Sequence, residues 1–449
     1  MCSVNDQNIQ VEEIESKLIS KDCMKCGETA TVVIRMNDPF CRTCFTAYVV
    51  HKFRAAIGKS KLIRDSEKVL VALSGGPSSC CLLQLIKEGL GEHVHKKLRF
   101  KPSLVFVDEG AAVGLSAEER LHGYMEIKTR ILNSGFPGYI TSLQVGYDSQ
   151  CGGISGTRQP PDQNIANEQT AFLTVTSDYT AERLVLSQQA DDKLKDLIGS
   201  VKSTSEKENL IRMLRYHALL RLARQTGHTK VMCGDTASRL SVKLLTGIAQ
   251  GRGGHIPFDT GFSDSRNPDV MFVRPLKDFA VKEVCVFNFY HNITPLFTPS
   301  LTTKSVSGSS IENLTEQFVY GLQAGYLATV SNITRTGEKL DHIEKDMVTD
   351  KEHCALCQSL SSKRPLEAET EENQTDSHQL SLSELMSGLC FGCRMTANDM
   401  MYAVSGTSQA IVYNPGMYAV SETSQAIVYN PQMYAVSGTS QAIIYNPRM

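Results

Sequence analysis

Two kinds of residue group in this chain have the types and spacing for chemistry: paired cysteines and a glycine turn. Cys23-Met24-Lys25-Cys26 and Cys41-Arg42-Thr43-Cys44 are two Cys-x-x-Cys pairs separated by fourteen residues. Each pair makes a tight knuckle whose sulfurs converge, and two knuckles form a tetrahedral S4 cage, so a structural zinc ribbon is expected. A redox Cys-x-x-Cys would need one pair, not two. Cys354, Cys357, Cys390 and Cys393 repeat the pattern near the other end, across an acidic, Ser/Thr-rich stretch from Glu367 to Gln379. A second zinc site closing over a disordered loop is expected there.

The glycine turn lies in Val69-Leu70-Val71-Ala72-Leu73-Ser74-Gly75-Gly76-Pro77-Ser78-Ser79. An apolar strand, a Ser-Gly-Gly turn and a helix aim backbone N–H groups and a helix dipole at one point, where α/β folds place a phosphate. Gly75 and Gly76 allow close approach, and the Ser74 and Ser79 hydroxyls can donate to phosphate oxygens. Pro77 suits the first helical turn. No Lys follows the glycines, so this is not the Gly-x-x-x-x-Gly-Lys-Ser/Thr loop. Taken alone, the stretch also reads as an ordinary strand–helix connection.

These groups need a scaffold, and the hydrophobic pattern describes one. Residues 45–66 read as a helix leading into the nucleotide domain, with Tyr48, Val49, Phe53 and Ala56 on one face. Leu104-Val105-Phe106-Val107-Asp108-Glu109 is a second buried strand ending in carboxylates. Strand ends are where such sheets bind ligands, though polar residues also simply close strands. A helix over Glu118 to Leu132, a strand at Tyr139 to Val145, a long helix from Glu206 to Gln225, a strand at Thr229 to Met232, a helix over Ser238 to Ile248 and a short strand at Met271 complete the series. Strands alternating with helices predict an α/β, doubly wound parallel sheet. Gly146 to about Gln169 is rich in Gly, Gln, Asn, Asp and Pro and reads as a flexible insertion. Arg212, Arg215, Arg221 and Arg224 are expected to project from the long helix, and Gly251-Arg252-Gly253-Gly254-His255 to form a flexible basic loop.

The expected order of units is a zinc ribbon and linking helix (1–60), the α/β domain (61–345), the second cysteine site (346–396) and a tail (397–449). The tail holds three copies of a sixteen-residue repeat beginning at Met401, Met417 and Met433. It carries almost no charge, and a small hairpin array is one reading of it. In bulk, the 449 residues carry a formal net charge of -2, so any nucleic-acid surface must be a local patch. Hydrophobic residues at 41% and charged residues at 21% suit a globular protein. No apolar run approaches a membrane span, and residues 1–7 show no secretory signal. A reducing, cytoplasmic setting is therefore expected, in which fourteen cysteines argue for metal over disulfides.

The order of these features closely resembles that of the cytoplasmic tRNA 2-thiolation protein 2 family, the second-subunit branch of the PP-loop class. The resemblance covers roughly residues 20–396, and the Leu73 to Ser79 loop is its most specific part. It implies a PP-loop α/β fold and a role in 2-thiolation of wobble uridine 34 in the tRNAs for Lys, Glu and Gln. It also implies a homologous catalytic subunit as partner, and a thiocarboxylated ubiquitin-related modifier as sulfur donor. ATP with magnesium would sit at Ser74, Gly75, Gly76 and Ser79 with Asp108, and zinc in the two cysteine cages. Arg212, Arg215 and Arg252 become the candidate phosphate contacts to tRNA.

The chain departs from what active members carry. Their Ser-Gly-Gly-x-Asp-Ser has Ser78 at the Asp position here, and a hydroxyl cannot replace that charge beside magnesium. Their Cys-x-x-Cys before the Arg-rich helix is replaced by Ser203-Thr204-Ser205-Glu206-Lys207, and a third cysteine by Arg274. Their Gly-His-Asn-x-Asp-Asp turn reads Gly234-Asp235-Thr236-Ala237-Ser238. Serine supplies neither a thiolate nor an iron–sulfur ligand, so a non-catalytic partner is expected, with no catalytic residues of its own. Two other readings stay open: an ATP-binding subunit that adenylates tRNA itself, and a zinc-stapled scaffold for the sulfur carrier. Cys80, Cys81 and Cys233 read as buried structural thiols. Cys151 has no assigned role.

Overall fold

Val69, Leu70 and Val71 are fully buried, and this run forms the central strand of a seven-stranded sheet. In the computed structural model the described residues are 22–34, 37–91, 97–146, 172–176, 188–304, 306, 308–340, 352–354, 356–361, 386 and 388–404. Most of the insertion expected after Gly146, the acidic loop at 367–379, Cys151 and the repeats beyond Val404 lie outside them. A two-stranded antiparallel ribbon comes first, β1 (Val32–Ile34) and β2 (Asp38–Phe40). The main sheet consists of β3 (Lys68–Ala72), β4 (Lys101–Asp108), β5 (Gly138–Ser142), β6 (Leu173–Thr174), β7 (Lys230–Met232), β8 (Ser263–Asp264) and β9 (Met271–Val273). Its order is β6-β5-β4-β3-β7-β9-β8. The five inner strands are parallel and the two edge strands antiparallel. The expected parallel core is present. The edges were not readable, because two-residue strands carry no periodicity.

Ten helices of nine residues or more lie among the described residues, and five of them are those the hydrophobic pattern predicts. The ten are α1 (Arg42–Ser60), α2 (Pro77–Leu90), α3 (Ala117–Ser134), α4 (Gln188–Gly199), α5 (Thr204–Gln225), α6 (Ala237–Ala249), α7 (Val281–Tyr290), α8 (Ile311–Gly325), α9 (Thr329–Gly337) and α10 (Phe391–Val404). Local chemistry sets their ends. Ser116 caps α3 in a reciprocal box with Glu119, and Gly135 closes it at φ 74°. Both faces of the sheet are covered, which is why its strands are apolar on both sides. One face packs on α1 (Phe45, Val49, Phe53), α2 (Leu82, Leu85, Ile86) and α7 (Val284, Phe287), in a core continuous with Ile34 and Phe40 of the ribbon. The other packs on Leu219, Leu220, Leu222 and Ala223 of α5.

A further core joins α4 (Leu194, Leu197) and the first half of α5 (Leu210, Met213, Leu214) to Cys354, Cys357, Cys390 and Cys393. The second cysteine set is therefore built onto the α/β domain. Two expectations for this part of the chain change. Arg252 and His255 are buried, so their loop is an anchored turn and not a flexible basic loop. Met401–Val404, the start of the first repeat, continues α10 as helix, not as a hairpin.

Candidate functional site

The carboxyl ends of β3, β4, β7 and β9 meet on one edge of the sheet, and the chemistry-bearing residues collect there. After β3 the chain turns through Gly75 at φ 81°, a conformation that needs glycine. Gly76 is the N-cap of α2, with Pro77 in its first turn. The Ser79 hydroxyl is buried, donates to the Gly76 carbonyl at 3.0 Å and lies 3.2 Å from Ser74 Oγ. The Gly76 N–H donates to Ser74 Oγ at 3.4 Å. Thus the loop is internally braced while Ser74 remains exposed at its rim. The turn after β7 seats against it: a Cβ on Gly234 would lie 3.2 Å from the backbone of Ser78 and Ser79.

A segment after α7 lies on this loop. The Leu296 N–H donates to the Gly75 carbonyl at 2.8 Å, and the Leu296 side chain fills the space beside the Gly75 Cα. Arg130 holds the same segment through the Thr294 carbonyl at 2.5 Å, and Asn288 Nδ2 donates to the Pro77 carbonyl at 2.9 Å.

Asp108, expected as a cofactor ligand, is turned inward instead. Its Oδ2 accepts from Arg120 Nε at 2.8 Å and from the Tyr124 hydroxyl at 2.5 Å, while Oδ1 accepts from the Gly110 N–H at 2.8 Å. Arg120 also bridges to Asp191 at 2.5 Å. With its oxygens engaged at 5% exposure, this carboxylate is not presented to a ligand. Burial and the Asp108 charge together raise the Tyr124 phenol well above its usual range.

The neighbouring charges form a network. Arg215 pairs with Glu109 (2.8 Å from Nη2) and Arg212 with Glu312, while Asp235 accepts from Lys243 (3.0 Å) and lies 3.4 Å from Arg274 Nε. Arg239 adds an exposed cation that acts on both Asp235 and Glu312. Five cations thus face three carboxylates on this edge. Burial would raise the Asp235 carboxyl, but Lys243 and Arg274 outweigh it and hold the group well below the usual carboxylate range. Cys233 sits at the same strand end, where burial first and then the Asp235 charge push its thiol up to about 11. A thiol that stays protonated at neutral pH is a poor nucleophile.

The expected projecting arginines are mostly engaged. Arg221 is buried and donates to the Val145 carbonyl at 2.9 Å, and Arg224 pairs with Asp269 at 2.6 Å. Arg252, offered from sequence as a tRNA contact, donates to the Gly392 carbonyl and to Thr396 Oγ1, both at 2.9 Å. At 8% exposure it is a buried brace, because the turn carrying it is covered by α10. Arg212 and Arg215 remain partly accessible. Arg239 and Lys243 were not singled out from sequence. Their i, i+4 spacing on α6 was the available signal.

Both cysteine sets converge. Within each, the four ligand atoms lie within 4.8 Å of one another. Cys26 and Cys41 sulfurs are 3.6 Å apart, and Cys357 and Cys390 sulfurs 3.7 Å. A tetrahedron with metal–sulfur bonds of about 2.3 Å has edges of about 3.8 Å, so both cages fit a tetrathiolate metal ion. Backbone N–H groups point at the sulfurs, from Cys44 to Cys41 (3.5 Å), Cys390 to Cys354 (3.3 Å) and Cys393 to Cys390 (3.5 Å). Burial would raise the Cys23 thiol, yet the backbone N–H groups of Cys41, Lys25 and Cys26 bring it down to about 6. In the second cage all four cysteines are buried, and His255 Nε2 lies 3.2 Å from Cys390 Sγ. Sequence reasoning missed His255 because nothing in its spacing links it to cysteines so distant along the chain.

With this geometry in hand, the relatives are informative. A family model described as cytoplasmic tRNA 2-thiolation protein 2 matches residues 310–395. Cytoplasmic tRNA 2-thiolation protein 2-A of Xenopus laevis is 36% identical, over 86% of this chain and 89% of its own length. The Danio rerio protein 2 is 38% identical, over 80% of this chain and 76% of its own length. Among solved structures, the U34-tRNA thiolase NcsA from Methanococcus maripaludis, bearing a four-iron four-sulfur cluster, superposes with a TM-score of 0.51. It covers 74% of this chain and 92% of its own at 16% identity, a likeness of fold alone. Extended identity over most of both lengths, on a PP-loop α/β scaffold with two cysteine cages, means that the chain belongs to the cytoplasmic tRNA 2-thiolation protein 2 family.

Proposed function

We propose that this chain is the non-catalytic partner subunit in 2-thiolation of wobble uridine 34 in the tRNAs for Lys, Glu and Gln. It works in the cytoplasm beside a homologous catalytic subunit that takes sulfur from a thiocarboxylated ubiquitin-related modifier. The observation that carries this reading is the ion-pair network at the sheet's carboxyl edge. Arg274 stands where the resemblance places a cysteine in active members, and it is paired with Asp235. Ser205, in the neighbourhood of another expected cysteine, is buried and accepts from the Ile311 N–H at 2.9 Å. A site so filled has no thiolate to offer, and Cys233 beside it is protonated. The excess of cations there supports holding an RNA phosphate, with Arg212 and Arg215 as contacts.

Zinc is the metal we assign to both cages. Four cysteine sulfurs at tetrahedral spacing leave no open coordination position, the mark of a structural ion and not of a catalytic one. The braced Ser-Gly-Gly loop also supports a second reading, in which the chain binds ATP at Ser74, Gly75, Gly76 and Ser79.

Mass spectrometry of tRNA digests tests the proposal. The purified chain with unmodified tRNA, ATP and a sulfur donor should yield no 2-thiouridine, and adding the homologous subunit should restore it. Robust thiolation by the chain alone would overturn the non-catalytic role. Calorimetric ATP binding that is abolished by Gly76→Asp would favour the second reading.

A further inference from the structure

A groove of about 1220 Å³ runs along the outer face of α1, walled on its far side by Lys97, Leu98, Tyr290 and His291. Its charge is of one sign. Arg42, Arg54, Lys59 and Lys97 line it together with His51 and His291, His291 Nε2 lies 2.9 Å from the Glu88 carboxylate behind the wall, and no carboxylate is among the described residues that line it. His51, Lys59 and Lys97 are exposed. Arg42 is already oriented: its guanidinium donates to the Tyr290 carbonyl and lies 5.4 Å from the centre of the Tyr290 ring. Between the cations the floor is made of small residues such as Ala55 and Gly58, so a bulky ligand meets no steric barrier.

From this we infer that the α1 groove is an RNA-binding surface that holds a stretch of sugar-phosphate backbone. The inference rests on the tRNA role proposed above and adds a contact face that the sheet's carboxyl edge does not provide. Three features select this occupant. Arg42 to Lys59 spans about 25 Å of helix, at 1.5 Å per residue, so the charges are strung out like successive phosphates and do not converge on one nucleotide. Protein partners are held by aromatic or aliphatic anchors. Of the larger apolar residues here, Ile57 is buried, Val50 and Leu98 are half-buried, and the half-buried Tyr290 ring is already covered by the Arg42 guanidinium, so none stands out as such an anchor. Finally, the Tyr290–His291 wall runs on within a few residues to Leu296, which rests on the Gly75 turn. A strand of RNA in the groove therefore passes towards the phosphate loop and the cation network.

Filter binding of an unmodified tRNA transcript across a salt series reads this directly. The double variant Lys59→Gln/Lys97→Gln is compared with Lys282→Gln/Lys339→Gln, a control of equal net charge at exposed sites outside the groove. Each phosphate contact contributes roughly 0.7–0.9 to the slope of log affinity against log salt, on the order of five-fold in affinity at 0.15 M. The groove variant should thus bind about twenty-fold more weakly, with a slope smaller by about 1.4–1.8. The control should match the unaltered chain, and equal metal content in all three should report intact folding. If both doubles bind alike, the groove inference falls while the tRNA role stands. If the unaltered chain binds no tRNA, the role itself falls. If the groove variant loses polyglutamate binding but keeps tRNA, the groove serves an acidic protein and the inference is overturned.

Discussion

At the scale of single residues, burial decides which side chains do chemistry and which hold the scaffold. Asp108, Arg252 and Arg274 have the residue types of ligands, yet all three are buried against fixed partners. Sequence could place Asp108 at a strand end but could not say where it points, because that depends on Arg120 and Tyr124 from α3 packing beneath it. The cysteines were legible because their spacing alone builds the cage. His228 shows the same control by burial in a form that titration can measure. It is 3% exposed, hydrogen-bonded through Nδ1 to Thr226 at 2.6 Å, and burial lowers its pKa to about 4. Between about pH 6.5 and 4 the unfolded chain binds a proton that the native state refuses, so stability is full above that window and falls as pH drops through it. From pH 7 to pH 5.5 this histidine should remove about 1.2 kcal/mol of stability. Urea unfolding of His228→Phe should show that increment missing from the pH dependence.

At the scale of elements, the strands and helices with strong apolar runs were readable to within a few residues, whereas their accessories were not. The helices and inner strands that carry apolar runs followed periodicity, and the Ser-Gly-Gly turn followed its glycines. The Leu296 segment gave no signal, since its contact with Gly75 is made by chain far away in sequence. That contact makes the turn intolerant. Gly75→Ala would place a Cβ 3.0 Å from the Leu296 Cβ and 3.1 Å from Ile127 Cδ1, at a φ of 81° that side chains avoid. The backbone strain is roughly 1–2 kcal/mol, with more from the collision. Denaturant titration should show Gly75→Ala destabilised by about 2–3 kcal/mol, and adding Leu296→Gly, which removes the colliding Cβ, should recover only part of the collision term and none of the backbone strain. Full recovery would mean that the positive φ carries no cost here.

At the scale of the whole molecule, the two cages do different mechanical work. The first joins the amino-terminal ribbon to α1, whose start is capped by Cys41 Sγ. The second closes over α5 and the buried turn at Arg252 and His255. Elemental analysis should find two metal ions per chain. Cys354→Ser should leave one, with faster amide exchange in α4, the first half of α5 and residues 251–260, and an unchanged rate in β3 and β4. The second cage also imposes an order of events on synthesis. The apolar residues Leu210, Met213 and Leu214 of α5 leave the ribosome well before Cys390, Cys393 and Met400, late members of the same core. Until those cysteines emerge and take their ion, the nascent chain carries an open greasy seam. Apolar surface open at that stage is prone to aggregate, and binding of an ion by the four cysteines would close it.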